Sequence, residues 1–309
     1  MKQVRMRSRL PGILVVVAAL LAWSVGGAVP ARSDVAQGPQ TAQAQTVALP
    51  TKEGSLKFGV IGDFGTGNRE QYQLGEQMGK LLAKFPYEMF ITVGDNLYGS
   101  QRPQDFISKF EKPYKTLLDA NVKFYASLGN HDDRAQARYK LFNMDGRRYY
   151  TFKAPKEDVR FFALESDYPL PEQIRWLEKE LQDSGEKWKI PYFHHPLYSS
   201  GERHGSDVTL RKALEPLFIK YGVSVVFAGH DHFYERLKPQ NGITYFVVGS
   251  SGKLREGNID TRTGLTAKGF DTDLTFMAVE ISGDEMYFNT ISRQGTVIDS
   301  GLIPRRVAN

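Results

Sequence analysis

Short apolar runs alternate with amphipathic segments along most of the 309-residue chain. Nine runs, rich in β-branched and aromatic side chains, have the length and composition of β-strands. They lie at 56–61, 89–93, 122–128, 159–164, 188–193, 223–228, 243–248, 274–281 and 286–291. Four segments between the earlier runs have the apolar spacing of helices. These lie at 70–85, 106–118, 171–183 and 208–221.

The order of these elements predicts the fold class. Strands and helices alternate over the first two-thirds of the chain, and beyond residue 243 strand follows strand. This order predicts one α/β domain over residues 55–309, a four-layer α/β/β/α sandwich of two mixed β-sheets flanked by helices. The polar segment 250–273, rich in Gly, Thr and charged residues, is predicted to be one long loop.

The first 54 residues have a different composition. Four Lys or Arg residues within the first nine positions precede an apolar run at 12–23 and small residues at 29–31. This pattern predicts a secretory signal peptide over residues 1–31. The alternative is an uncleaved membrane anchor, because the apolar stretch is about long enough to span a bilayer. Residues 32–54, rich in Ala, Gln, Thr and Pro, predict a disordered spacer.

Charge and cysteine content narrow the class of protein. Without the four cations at the start of the chain, the net charge of +5 falls to +1. The domain therefore has no basic excess that would indicate nucleic-acid binding. Either form of the leader predicts an exported protein, periplasmic or secreted, which touches a membrane only if the leader is retained. The chain has no cysteine, so stability must come from the core and from any bound metal.

Five of the apolar runs end in residues that bind metals or transfer protons, usually after a glycine. The tetrapeptides and longer blocks are Gly62-Asp63-Phe64-Gly65, Gly94-Asp95-Asn96-Leu97-Tyr98, Gly129-Asn130-His131-Asp132, Phe193-His194-His195-Pro196 and Gly229-His230-Asp231-His232. The carboxyl ends of strands form the ligand crevice of α/β sheets, so we expect the five blocks to converge on one site. Five of the six histidines lie in these blocks, and His204 follows His194 by ten residues.

The residue types in the blocks indicate a particular chemistry. Carboxylate, amide and phenol oxygens with imidazole nitrogens suit hard to intermediate cations. The absence of thiolates argues against a closed structural zinc site. One carboxylate can bridge two cations, and two cations about 3.5–4 Å apart are a common arrangement for displacement at phosphorus.

In their order and spacing, the blocks GDFG, GDNLY, GNHD, FHHP and GHDH resemble those of the dinuclear metallophosphoesterases of the calcineurin-like superfamily. Within it they are most similar to the purple acid phosphatases of the small, mammalian tartrate-resistant type. The resemblance covers about residues 56–305. Gly65 stands where most of the superfamily has a ligand histidine, and Tyr98 stands where the purple enzymes have their phenolate.

The resemblance implies two ligand sets that share one carboxylate. The first metal would be held by Asp63, Asp95, Tyr98 and His232, and the second by Asp95, Asn130, His194 and His230. A phenolate is a hard anion, so the resemblance implies Fe(III) at the Tyr98 site. The second ion would be Fe(II), Zn or Mn.

The remaining histidines are interpreted by position. The resemblance implies that His131, next to Asn130, stands over the metals as a general acid. His204 resembles a second histidine on the substrate side, which would aid or replace His131 as the acid, and the alternative is an exposed loop histidine. His195 occupies a variable position of the family pattern and is interpreted as a packing or rim residue.

The resemblance also implies the reaction. A metal-bound hydroxide would attack a small phosphorylated substrate, making the chain an acid phosphatase that hydrolyses phosphate monoesters. One alternative is a phosphodiesterase of the same superfamily, acting for example on cyclic nucleotides. Another is a non-catalytic exported module with structural metals, which would have no use for His131.

Overall fold

The computed structural model describes residues 46–168 and 171–307. The strands within them are β1 (Leu56–Ile61), β2 (Met89–Val93), β3 (Lys123–Ser127), β4 (Tyr150–Lys153), β5 (Val159–Ala163), β6 (Trp188–Tyr192), β7 (Val225–Ala228), β8 (Tyr234–Leu237), β9 (Thr244–Val248), β10 (Thr266–Phe270), β11 (Thr275–Ser282), β12 (Glu285–Ser292) and β13 (Val297–Pro304). The helices are α1 (Arg69–Leu82), α2 (Pro103–Phe106), α3 (Lys115–Asp119), α4 (Pro171–Asp183) and α5 (Val208–Lys220).

The strands form two mixed sheets. The first has the order β13-β12-β11-β1-β2-β3 and the second β10-β8-β9-β7-β6-β5-β4. Strands β1, β2 and β3 run parallel in the first sheet, and β5, β6, β7 and β9 run parallel in the second. The other pairings are antiparallel.

Aromatic side chains fill the space between the two sheets. Phe58 of β1 meets Phe161 of β5 edge to face, with ring centroids 5.2 Å apart. Phe246 of β9 meets Phe288 of β12 in the same way at 5.1 Å. Such pairs add to the free energy gained from burying the rings. This core holds the two sheets together, and with it both sets of site-bearing strands.

A second apolar cluster joins the outer face of the second sheet to α4 and α5. It includes Leu177, Leu181, Leu210, Leu214 and Phe218 from the helices. On the other side, α1 contacts α3 and β11 of the first sheet. The predicted four-layer α/β/β/α sandwich is therefore confirmed.

Some elements differ from the sequence-based expectation. The pattern did not predict β4, β8, β10 or β13, and β10 lies inside the segment 250–273 that was expected to be a loop. The expected helix over 106–118 is interrupted: a π-helical turn (Ile107–Glu111) continues α2, and α3 begins only at Lys115. Pro113 lies at the break, where it cannot donate a helical hydrogen bond.

The predicted signal peptide lies outside the described residues, so its assignment and the domain boundary at residue 55 stay predictions. The described end of the predicted spacer contacts the first sheet. The backbone N–H groups of Thr51 and Lys52 donate to the buried carboxylate of Glu280 at 2.7 and 2.6 Å. Between residues 46 and 307, leaving out 169 and 170, we find no helix with the length and apolar character needed to span a bilayer.

Candidate metal centre

The five sequence blocks follow strands that point in the same direction within each sheet. Asp63 follows β1, Asp95 and Tyr98 follow β2, and Asn130 follows β3. From the second sheet, His194 follows β6, and His230 and His232 follow β7. The structure brings all seven predicted ligand side chains together at the carboxyl ends of these parallel strands, where ligand crevices form in α/β folds.

The backbone at the site is held in uncommon conformations. Asp63, Asp95 and His230 have positive φ angles of 54°, 51° and 73°, which cost free energy for residues with a side chain. Two of the glycines are required by space alone. A Cβ on Gly129 would lie 2.3 Å from Oδ1 of Asp95, and one on Gly229 would lie 2.5 Å from Oδ2 of Asp63. Tight turns therefore direct the carboxylates of Asp63 and Asp95 toward the other candidate ligands.

The first predicted ligand set is centred on the hydroxyl of Tyr98. Its oxygen lies 3.0 Å from Oδ1 of Asp63, 2.9 Å from Oδ2 of Asp95 and 3.2 Å from Nε2 of His232. Nε2 of His232 is also 3.4 Å from Oδ1 of Asp63. A phenol has a single hydrogen to donate. It cannot satisfy all three neighbours at once.

The second predicted set is centred on Nε2 of His194. Nδ1 of this buried ring lies 2.9 Å from the carbonyl oxygen of Val93. A carbonyl only accepts, so Nδ1 carries the hydrogen and Nε2 presents a lone pair. Nε2 lies 3.0 Å from Oδ1 of Asn130, 3.1 Å from Nδ1 of His230 and 3.4 Å from Oδ1 of Asp95. With Asp95 ionised, this lone pair faces two acceptor oxygens, and Nδ1 of His230 is the neighbour that can donate to it, in its Nδ1–H tautomer.

This donor set fits a pair of cations. Two ligands about 2.1 Å from one cation and at right angles to each other are about 3.0 Å apart, and the distances within both sets are close to that value. Asp95 belongs to both sets, with Oδ2 in the first and Oδ1 in the second. Its carboxylate could therefore bridge the two ions. The residues present would hold a dinuclear centre.

The pKa shifts of the candidate ligands also support a bound cation. Burial, and then the neighbouring Asp95, raises the pKa of Asp63 well above its ordinary value. Burial also raises the pKa of Asp95 and lowers the pKa of His194 well below its ordinary value. For His232, burial and then the positive charge of Arg255 lower the pKa to about 4. Two buried carboxyl groups among neutral imidazoles are an environment that a cation would stabilise.

The other three histidines surround this cluster. The exposed ring of His131 packs on Tyr98, with centroids 4.9 Å apart. The ring of His204 packs on His230 at 4.2 Å. His195 also contacts His230, at 4.4 Å, and its Nδ1 lies 3.0 Å from the hydroxyl of Ser166. His194, His195 and His230 each offer a ring nitrogen within 4.8 Å of the others. All six histidines thus lie in one region, and their individual roles stay predictions.

One residue without a predicted role connects two of the blocks. The carboxylate of Asp132 accepts from the backbone N–H groups of Asn96, Leu97 and Gly129 at 3.0, 3.1 and 2.9 Å. It also accepts from the side-chain amides of Asn96 and Gln136 at 2.9 and 2.8 Å. These bonds fix the loop after β2 against the loop after β3. Asp132 is the last residue of the GNHD block, but the sequence did not predict its hydrogen-bond partners.

Asp231, between the two histidines of the last block, also fixes a loop beside the site. Its buried carboxylate turns toward the loop 199–205 and accepts from Oγ of Ser199 at 2.5 Å and from the N–H of Gly205 at 3.1 Å. That loop carries His204. Asp231 therefore fixes the position of His204 relative to His230.

Comparison with known proteins agrees with this geometry. Residues 56–234, more than half of the chain, match the calcineurin-like phosphoesterase family, and the chain belongs to that family. The chain is similar to tartrate-resistant acid phosphatase type 5 of Oryctolagus cuniculus. The two are 28% identical over 249 residues, which cover 66% of this chain and 76% of the relative.

Two solved structures share the fold. The purple acid phosphatase PPD1 from yellow lupin has a TM-score of 0.67 and 19% identity, covering 83% of this chain and 55% of that one. GAP50, described as the anchor in the inner membrane complex of Plasmodium, has a TM-score of 0.70 and 18% identity, covering 82% and 90%. The predicted resemblance is confirmed. The chain is a phosphoester hydrolase, and its relatives imply a dinuclear metal site.

The charge on Asp95 should destabilise the metal-free protein. Because burial raises its pKa above the unfolded value, the ionised form costs free energy at pH 7, and the cost fades as the pH falls through the folded pKa. We expect Asp95→Asn to raise the free energy of unfolding of chelator-treated protein at pH 7, because the amide carries no buried charge. The gain should shrink toward pH 4. Thermal denaturation measures both, with exposed Asp119→Asn as the control. A lower melting temperature for metal-free Asp95→Asn would contradict this account.

Removing the Asp132 carboxylate should loosen the centre. Asp132→Ala leaves three backbone N–H groups without their acceptor, and we expect a loss of at least about 2 kcal/mol in stability together with reduced metal content. The neighbouring Asp133 is the matched control, because within the described part of the chain its exposed side chain accepts only from the N–H of Ala135. Asp133→Ala should cost about 1 kcal/mol or less and leave the metal content unchanged. Equal effects of the two substitutions would show that Asp132 has no special part.

Proposed function

We propose that the chain hydrolyses phosphate monoesters at a dinuclear centre held by Asp63, Asp95, Tyr98, Asn130, His194, His230 and His232. The observation that carries the proposal is the position of Tyr98. Its oxygen lies within 3.2 Å of two carboxylates and an imidazole, in the place that the purple acid phosphatase pattern assigns to a phenolate ligand. When bound, the two cations would supply Lewis-acid activation of the phosphate oxygens and of the attacking water.

The side chains around the ligands support a specific division of labour. His131 is held near Tyr98 from two sides: its N–H donates to Oδ1 of Asp95 at 2.9 Å, and its carbonyl accepts from Nε2 of Gln101 at 2.6 Å. Its ring stays exposed and is not part of either ligand set. An imidazole placed beside the ligands but outside both sets is positioned to donate a proton to the leaving oxygen of a bound substrate. We assign this proton transfer to His131.

His204 is the weaker candidate for the acid. Partial burial, together with the charges of Arg255 and Arg203, lowers its pKa, so it holds a proton less readily. Its place beside His230 suits contact with the substrate instead. We therefore assign it to substrate binding.

The fold does not by itself decide the activity, because unrelated functions occur on the same fold. A similar fold is described as an anchor in the Plasmodium protein GAP50. What favours catalysis here is the pair His131 and His204, which a purely structural metal site would not need. For a phosphodiesterase we find no comparable support.

The substrate class is tested with purified, metal-loaded protein on 4-nitrophenyl phosphate and bis(4-nitrophenyl) phosphate. Faster turnover of the monoester supports the proposal. Preference for the diester would assign a phosphodiesterase, and no turnover of either by fully loaded protein would assign a non-catalytic module.

The role of His131 predicts a dependence on the leaving group. His131→Ala should lower kcat for glycerol 2-phosphate by about 10²–10⁴-fold, with metal content retained. The loss should be smaller for 4-nitrophenyl phosphate, because its leaving group needs little protonation. Steady-state kinetics on both substrates decide the matter. Unchanged turnover, or an equal loss on both, would refute the role as acid.

The identity of the first metal is tested by colour. The resemblance implies that Tyr98 is a phenolate ligand of Fe(III), which gives a charge-transfer band in the visible range. Iron-loaded Tyr98→Phe should therefore lose its visible absorbance. Tyr72→Phe serves as the control, since the hydroxyl of Tyr72 donates to the carbonyl of Ser108 away from the ligand sets. A colourless, iron-loaded wild-type protein would exclude Fe(III)–phenolate ligation.

A further inference from the structure

The amide side chain of Gln101 joins the loop after β2 to the loop that carries His131. Its Nε2 donates to the carbonyl of His131 at 2.6 Å, and its Oε1 accepts from the backbone N–H of Asp133 at 2.8 Å. Oε1 also accepts from Nε2 of Gln136 at 2.8 Å. A carbonyl only accepts and a backbone N–H only donates, so these contacts fix which end of the amide faces His131.

The loop that carries Gln101 is anchored as well. Nζ of Lys109, in the π-helical turn after α2, donates to the carbonyls of Tyr98 and Ser100 at 2.7 Å each. Lys109 also pairs with Asp105 at 3.6 Å, and Asp105 accepts from Oγ of Ser100 at 2.7 Å. The backbone between Tyr98 and Gln101 is thus held by the helical segment, and Gln101 reaches His131 from a fixed position.

Gln101 contacts His131 without belonging to either ligand set. The N–H of His131 donates to Oδ1 of Asp95, a member of both sets, at 2.9 Å. The carbonyl of His131 accepts from Gln101, and within residues 46–168 and 171–307 no other hydrogen bond reaches that oxygen. The His131 ring packs on Tyr98 with centroids 4.9 Å apart. A shift of this backbone would therefore move the ring relative to the first ligand set while leaving every candidate ligand in the chain.

We propose that Gln101 is a positioning residue that places the imidazole of His131 for proton transfer to the leaving oxygen. It thereby helps to determine which phosphate esters are turned over, because esters of weakly acidic alcohols need that proton most. The inference rests on the proposed function, in which His131 gives a proton to the leaving oxygen while the bond from phosphorus to that oxygen breaks. A misplacement of about 1 Å can lower a rate about 100-fold.

Two substitutions separate the two ends of the amide. Gln101→Glu keeps an acceptor for the N–H of Asp133 but turns a carboxylate oxygen toward the carbonyl of His131. Gln101→Met removes both ends, and its apolar side chain has apolar neighbours, since Gln101 lines a cavity of about 480 Å³ with Phe106 and Ile107. In both variants kcat for glycerol 2-phosphate should fall about 10-fold or more, with KM and metal content nearly unchanged. The fall should be smaller for 4-nitrophenyl phosphate.

Gln104→Met is the matched control. Gln104 is an exposed residue of α2, and within the described part of the chain its side chain forms no hydrogen bond. Its replacement should leave the ratio of the two kcat values unchanged. Melting temperatures are measured alongside, because an unfolded fraction lowers both rates equally. An equal fall on both esters in the Gln101 variants, or unchanged turnover of both, would overturn the inference.

The dependence on His131 is tested with a double variant. Because Gln101 acts through His131, adding Gln101→Glu to His131→Ala should change kcat for glycerol 2-phosphate by less than about 2-fold. Residues that act through one another are non-additive in this way, whereas independent residues add. The same fold loss in the wild-type and the His131→Ala backgrounds would show that Gln101 acts elsewhere.

Failure of the proposed function gives a different result. If wild-type protein hydrolyses neither ester, the phosphatase proposal fails, and the position of His131 is followed by NMR of the zinc-loaded protein. The imidazole Cε1–H signal of His131, identified by its absence in His131→Ala, should shift in Gln101→Met and stay in place in Gln104→Met. A signal that is the same in wild-type protein and in Gln101→Met would overturn the inference whatever the activity.

Discussion

The structure depends on one electrostatic constraint. At the carboxyl ends of the parallel strands, buried oxygen and nitrogen atoms with lone pairs lie close together, and they outnumber the N–H and O–H hydrogens that could bond to them. Nε2 of His194 faces the acceptor oxygens of Asn130 and Asp95, while the single hydroxyl hydrogen of Tyr98 faces several acceptors. In a dry environment such an arrangement is costly unless positive charge is shared among the atoms. A pair of cations would provide that charge, and the same charge would be available to activate a phosphate ester.

The rest of the domain keeps this unfavourable arrangement in place. Backbone strain at Asp63, Asp95 and His230 persists because the strands before each residue are buried in the core between the sheets. Asp132 then fixes the loops after β2 and β3 to each other through hydrogen bonds that need no metal. Stability and site geometry are thus supplied by different residues. Asp132 lies outside both candidate ligand sets, while the buried carboxylates within the sets would cost free energy in the metal-free chain.

Outside the candidate ligands, loops that follow strands of the second sheet border the site. Asp231 separates two ligand histidines in the sequence, yet its side chain holds the loop of His204 and Arg203. The segment after β9 reaches back to the backbone of Asp63 and His232 and brings two further cations. The strand ends therefore carry the candidate ligands, while these loops place further histidine and cationic side chains around them.

The sequence by itself predicted nine of the thirteen described strands, the layer order and the polar residues that meet at the strand ends. It could do so because each block is local: a strand, usually a glycine, and a polar side chain. It did not determine β4, β8, β10 or β13. Three of these are edge strands, and β8 lies beside one. At such positions hydrogen bonds from the neighbouring strand hold polar or glycine-containing segments in the sheet, and their sequences have no strand pattern. Only the tertiary structure decided the partners of Asp132 and Asp231. Those contacts join residues from separate strand ends, and sequence periodicity carries no information about such distances.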